Sequence, residues 1–216
     1  VGDFSEVKQV LWLDYNNDGE LDLFITSHDQ NRLYKNLGDL NLVDVTASTG
    51  FGDSGYQSFC GVWLDYDEDG FLDLCFSHRT AFLQGHIKLY RNLGNDQFQD
   101  VTIQAGLASL GNSVLAISSF DMNNDGLRDI FVTNGINHDL TDLDFMDFFA
   151  NDILHNMVLT GHKEDIDSII NKMPIKPQAN YAFKNNGNLT FTNEDKKWGF
   201  ETLSMSNGVA YGDLDN

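Results

Sequence analysis

The chain reads as all-β: part of a β-propeller built from four-stranded antiparallel blades, with an acidic loop between the first two strands of each blade and one short helical insertion. Three observations predict this. The nine-residue stretch Asp65-Tyr66-Asp67-Glu68-Asp69-Gly70-Phe71-Leu72-Asp73 recurs as Asp14 to Asp22 and Asp121 to Asp129 and begins once more at Asp213. Self-similarity at a roughly fixed period marks a repeat architecture. Short apolar runs flank every copy in the same order. The hydrophobic share of 41% and aromatic share of 12% supply a core, which a disordered acidic tail would lack.

Each unit opens with a strand leading into the loop (Val10 to Leu13; Val62 to Leu64; Ile117 to Phe120; Val209 to Tyr211) and a second leaving it (Leu21 to Ile25; Leu72 to Phe76; Asp129 to Val132). A third run carries an aromatic, a basic residue and Asn: Tyr34-Lys35-Asn36, Tyr90-Arg91-Asn92 and Phe183-Lys184-Asn185. Gly38, Gly94 and Gly187 then mark a turn. The fourth run (Leu42 to Thr46; Phe98 to Thr102; Phe191 to Asn193) leads to Gly50-Phe51, Gly106-Leu107 and Gly199-Phe200. Four short strands in about 40–50 residues are what a propeller blade requires. The blades fall at 7–51, 58–107 and 113–200, with 206–216 starting a further one. Residues 1–216 are then a fragment of one propeller in a longer chain, which supplies further blades and domains. The recurrence of Tyr34, Tyr90 and Phe183 implies packing between blades, and Lys35, Arg91 and Lys184 read as a solvated face.

The insertion at 136–179 changes period. Leu143, Met146, Phe149, Ala150, Ile153 and Met157 fall at helical spacing, with Thr141 and Asp144 as a capping box and Gly161 as a stop. Ile166, Ile169, Ile170 and Met173 suggest a second helix, ended by Pro174 and Pro177. The plainest reading is an amphipathic pair packed on the sheets; a lid or partner-binding element is the sharper one.

The repeated loop carries the chemistry. Positions one, three, five and nine bear oxygen every time: Asp14, Asn16, Asp18, Asp22; Asp65, Asp67, Asp69, Asp73; Asp121, Asn123, Asp125, Asp129. Hard oxygens on alternate side chains suit Ca²⁺, which takes about six to eight of them, whereas Mg²⁺ keeps its waters. Position six is Gly19, Gly70 or Gly126, where such a loop turns sharply. Position seven is Glu20, Phe71 or Leu127, a chemical indifference expected of a residue that ligates through its backbone carbonyl. Asp213 and Asp215 begin a fourth site. Turn residues alone would account for one such loop, but not for three in register. An EF-hand is excluded, because position twelve is Ile25, Phe76 or Val132 rather than Glu.

The formal charge of −20 argues against nucleic acid or an anionic membrane as partner. No apolar run approaches a membrane span, and the first residues lack the plan of a signal peptide. Cys60 and Cys75 flank the second loop and read as buried free thiols in preference to a disulfide. The histidines form no metal constellation; His28 and His78 lie just past strands, and His155 and His162 near a helix end. Asn188-Leu189-Thr190 matches a glycosylation acceptor and equally a turn.

These residues resemble the VCBS or FG-GAP-like repeat family, whose blades carry D-x-D-x-D-G-x-x-D loops of this kind. Asn180 to Gly187, Trp198-Gly199 and Ser206-Asn207-Gly208 further resemble the cartilage acidic protein-like group, which often carries a terminal ASPIC/UnbV domain. The resemblance implies a calcium-stabilised propeller. The family is also similar to integrin α propellers, but the Phe-Gly and Gly-Ala-Pro signatures of those are mostly missing here.

Two functions are expected from this reading. One is an extracellular, cell-surface or periplasmic scaffold that binds a protein or carbohydrate ligand, since extracellular Ca²⁺ modules bind at about 10⁻⁴–10⁻³ M. The other is a polysaccharide lyase or hydrolase, for which the non-repeated His28, His78, Arg79, His86 and Lys88 are the only hints.

Overall fold

Antiparallel hairpins joined by tight loops build a meander, and three of them account for the described part of the chain. The computed structural model describes residues 6–28, 30–51, 57–79, 85–108, 114–135, 155, 158–161 and 177–212. The first unit is β1 (Val7–Leu13), β2 (Asp22–Ser27), β3 (Arg32–Asn36) and β4 (Leu42–Asp44). The second is β5 (Gln57–Leu64), β6 (Asp73–Arg79), β7 (Gly85–Asn92) and β8 (Phe98–Asp100). The third is β9 (Val114–Phe120), β10 (Asp129–Asn134), β11 (Tyr181–Asn185) and β12 (Phe191–Asn193). Each forms a four-stranded sheet in sequence order.

The acidic loop closes the first hairpin of every unit in the same register: Leu13 pairs with Asp22, Leu64 with Asp73 and Phe120 with Asp129. Position nine is therefore also the first residue of the second strand. β2 and β10 are buried along their whole length, as strands covered on both faces must be. In the second unit the hairpin of β6 and β7 runs on to His78↔His86 and Arg79↔Gly85, beyond the three pairs of β2 with β3.

The sheets pack face to face through aromatic contacts. Trp63 of β5 stands edge-on to Phe24 of β2, with ring centroids 5.5 Å apart at 89°. Phe51 lies 4.4 Å from Phe98 and 5.1 Å from Tyr90. Between the second and third sheets, Tyr66, Leu89, Leu107, Ile130, Phe183 and Phe191 share one buried cluster. Tyr90 and Phe183 thus sit between sheets, while Tyr34 joins Leu23 and Ile25 on the outer side of the first.

The Gly-Phe and Gly-Leu pairs make the seams. Phe98 N–H donates to Thr49 O and Phe191 N–H to Ala105 O, both at 2.8 Å, so the turn after β4 or β8 abuts the last strand of the next unit. Gly50 has φ +92°, and a Cβ there would stand 2.8 Å from Phe98 O. Only glycine allows both the backbone angle and the approach. The next residue, Phe51 or Leu107, is buried in the seam.

Several expectations change. Residues 209–211 form no strand. Most of the insertion at 136–179 lies outside the described residues, and within it His155 and 158–160 are helical. His78 lies within β6 and is buried rather than past the strand. Cys60 and Cys75 are free thiols; Cys75 is buried, which holds it well above the ordinary thiol range. Among the described residues no helix is long and apolar enough to cross a membrane.

Candidate metal centres

The three complete loops fold alike because each carboxylate satisfies its own backbone. At position one, Asp14, Asp65 and Asp121 each accept two N–H groups. One comes from position five at 3.1 Å in every loop. The other comes from the glycine at position six, at 2.9, 3.0 and 2.8 Å. At position five, Asp18, Asp69 and Asp125 accept the N–H of Glu20, Phe71 and Leu127. The turn needs two left-handed residues in each loop, and φ is +59°, +59° and +58° at Asn17, Glu68 and Asn124 and +87° to +89° at the glycines.

Position nine is the anchor. Asp22, Asp73 and Asp129 are fully buried. Each accepts one N–H from loop position two and another from the Asn that ends the third strand: Asn36, Asn92 or Asn185, at 2.8 Å in all three. Burial raises all three carboxyls above their ordinary range, Asp73 to about 7, because a charge inside protein loses its hydration.

Loop two brings the ligand atoms closest. One carboxylate oxygen each from Asp65, Asp67 and Asp73 lies within 4.8 Å of the other two. The Asp67 side chain is 1% exposed. Its cationic partner is Arg91, whose Nη2 lies 2.5 Å from Asp67 Oδ2 and 3.4 Å from Asp69 Oδ2, while burial and the neighbouring Asp69 and Asp65 raise the Asp67 carboxyl. One guanidinium against four carboxylates leaves the loop strongly negative, so the donor set fits a divalent oxygen-seeking cation. In loops one and three the third position is Asn, and its amide donates to the position-five carboxylate at 2.9 Å.

The basic residues on the third strands, part-exposed as a solvated face would be, each pair with an acidic side chain. Arg91 and Lys184 turn to their own loops, Lys184 Nζ reaching Asp125 at 2.9 Å. That contact, with help from the Asn123 amide, holds Asp125 below the carboxylate range. Lys35 instead crosses to Asp96 in the turn after β7, at 3.0 Å, where Tyr15 Oη also donates at 2.9 Å. Position seven is not chemically idle either. A Cβ at Gly94 would meet the Phe71 ring at 2.8 Å, and one at Gly187 would meet Leu127 at 3.2 Å, so these side chains cover the turn glycines. Asp213 and Asp215 lie outside the described residues.

Of the non-repeated residues, the extended hairpin of the second unit gathers three. His78 and His86 face each other with ring centroids 5.5 Å apart. With Lys88, Asp100 and Thr102 they line a cavity of about 480 Å³. Lys88 Nζ contacts Asp100 at 2.7 Å. His28 stands apart in the first unit, and the Arg79 side chain lies outside the described residues.

Two stretches, residues 14–76 and 80–132, match the family model of the FG-GAP-like repeat, and together they cover more than half of the chain. The chain belongs to the FG-GAP-like repeat family. Cartilage acidic protein 1 of Xenopus tropicalis is similar, 28% identical over 120 residues, which is 55% of this chain and 18% of that protein. The chain therefore spans less than a fifth of that relative's length. The FG-GAP match starts at Asp14, the first candidate ligand, and takes in all three complete loops and β10 as far as Val132.

Proposed function

We propose that this FG-GAP-like chain is part of a calcium-stabilised β-propeller, extracellular or periplasmic, that serves as a scaffold for binding a protein or carbohydrate. The observation that carries the reading is loop two, where Asp65, Asp67 and Asp73 converge and the Arg91 guanidinium, paired with Asp67 and Asp69, is one positive charge against four carboxylates. Bound Ca²⁺ would supply two positive charges per loop and let the clustered carboxylates remain ionised. Ten carboxylates occupy the predicted side-chain positions of the complete loops, three in loop one, four in loop two and three in loop three. Three ions would return six charges, taking the formal −20 to about −14. Position-seven carbonyls, and Asp213 and Asp215 in a fourth site, complete the proposed ligand sets.

The propeller reading rests on sheet stacking that continues from unit to unit. Trp12 and Val10 of β1, each 50% exposed, stand where Trp63 and Gly61 face the preceding sheet in the second unit. That apolar face fits a further blade. FG-GAP repeats are typically extracellular or periplasmic, and millimolar affinity belongs in those compartments.

Calorimetry of the metal-free chain with Ca²⁺ should find binding in the 10⁻⁴–10⁻³ M range, and Asp67→Ala should remove one site. Absence of heat at millimolar Ca²⁺ refutes the calcium reading. The cavity at His78, His86 and Lys88 favours a second reading, a polysaccharide-active enzyme, because it places potential acids, bases and a cation on one side of one unit. Turnover of an acidic polysaccharide, lost in His86→Ala, would establish it.

A further inference from the structure

The position-nine carboxylates of the three loops are joined by one continuous run of hydrogen bonds through the sheet seams. Tyr15 N–H donates to Asp22 Oδ2 at 3.2 Å, and Tyr15 O accepts from Asn92 Nδ2 at 2.7 Å. The backbone N–H of Asn92 holds Asp73 Oδ1. The same sequence then repeats one unit on. Tyr66 N–H donates to Asp73 Oδ2 at 3.0 Å, Tyr66 O accepts from Asn185 Nδ2 at 2.8 Å, and Asn185 N–H holds Asp129 Oδ1. The carboxylates, both tyrosines and both asparagines are at most 2% exposed, so water cannot substitute for a broken link. A second tie runs outside, from Asn17 Nδ2 of loop one to Gly70 O of loop two at 2.9 Å.

We infer that Asn92 and Asn185 couple neighbouring metal loops, so that filling one loop raises the Ca²⁺ affinity of the next. This rests on the calcium reading above. Each asparagine uses its backbone to fix the anchor carboxylate of its own loop. Its carboxamide holds the position-two carbonyl of the preceding loop, and the N–H of that same residue holds that loop's anchor. A carboxylate locked in ligating position at Asp73 thereby fixes the Tyr15 backbone and Asp22, and part of the ordering cost of loop one is met in advance. A latch that merely strengthened the seams would stabilise the fold without linking the affinities.

The test is a Ca²⁺ titration of the ¹⁵N-labelled full chain, read at the amides of Gly19, Gly70 and Gly126. Each of these donates to the position-one carboxylate of its own loop, so each reports one site. Disabling loop two with Asp65→Asn is expected to weaken binding at Gly19 about 5-fold or more, a coupling of ordinary allosteric size. In an Asn92→Ala background the same change should cost less than about 2-fold. Asn36→Ala is the matched control. Asn36 makes the within-unit bonds, to Asp22 and Leu21 O, but no bond to another loop among the described residues, so the drop should persist there.

Coupling is refuted if Asp65→Asn leaves Gly19 binding unchanged, or if the drop is the same with and without Asn92. If no glycine responds to Ca²⁺ in the unaltered chain, the calcium reading falls and the coupling with it. Should Asn92→Ala fail to fold, the cycle is run with Asn185→Ala, Asp121→Asn as the disabled loop and Gly70 as the reporter.

Discussion

Asp73 is a carboxyl that burial has moved to about 7. Its unfolded value is about 3.9, so between about 4 and 7 the metal-free native state holds a proton that the unfolded chain has released. Its stabilising contribution is therefore complete below about pH 4 and lost as pH rises through about 7. Asp22 and Asp129 shift the same way. Asp100 goes the other way: burial alone would raise it, but Lys88 and Thr102 outweigh that, so its contribution is lost as pH falls. The chelated protein should melt at a lower temperature at pH 7.5 than at pH 5, whereas Ca²⁺ should abolish or reverse that slope. Asp73→Asn should flatten part of it; identical slopes with and without metal would contradict the assignment. Glycines give a second residue-scale outcome. Gly50→Ala should cost about 2–4 kcal/mol in urea unfolding, from left-handed strain plus overlap with Phe98 O. Gly19→Ala, with φ +89° but nothing within 4 Å, should cost about 1 kcal/mol. Oxygen placement along the loops was legible in the sequence because it repeats at fixed spacing within one turn. The partners of Lys35, Arg91 and Lys184 were not, because a side chain on the third strand reaches a loop many residues away only once the sheet exists.

Strands were readable in order because alternating apolar runs and glycine turns are local signals, and all twelve described strands fall on runs or close extensions of runs that the sequence marks. Their ends were less readable. β6 and β7 extend further than their counterparts in unit one, and only that extension brings His78 and His86 together. Equivalent residues also meet different fates. Trp12 and Trp63 occupy the same place in β1 and β5, yet Trp63 is packed on Phe24 and Phe98 and Trp12 is half exposed. Trp63→Ala should therefore cost about 3–5 kcal/mol, and Trp12→Ala less than about 1 kcal/mol, measured by denaturant unfolding. Equal costs would mean that the seam between the first two sheets contributes little. The third-strand asparagines carried a signal in the sequence, an uncharged polar residue recurring beside core positions, but their reach into the neighbouring loop depends on how the sheets stack.

At the scale of the molecule, sheet stacking and charge oppose each other. The aromatic seams draw the units together, while every complete loop sits beside a seam and carries three or four carboxylates at its candidate side-chain positions, within a chain of formal charge −20. Arg91 and Lys184 offset one charge each in loops two and three, and Lys35 is diverted to Asp96, so repulsion is left across the whole array. Such repulsion between partly exposed groups is screened over about 8–10 Å at physiological ionic strength, close to the spacing of stacked sheets. In the presence of a chelator, raising sodium chloride from about 0.05 to 0.5 M should therefore raise the melting temperature, as mobile ions substitute for the missing divalent charge. With Ca²⁺ saturating the loops, the same change in salt should matter much less, because the repulsion it screens has already been offset. A melting temperature equally sensitive to salt in both states would locate the acidic burden on the outer surface rather than in the loops, and would remove the electrostatic reason for placing metal there.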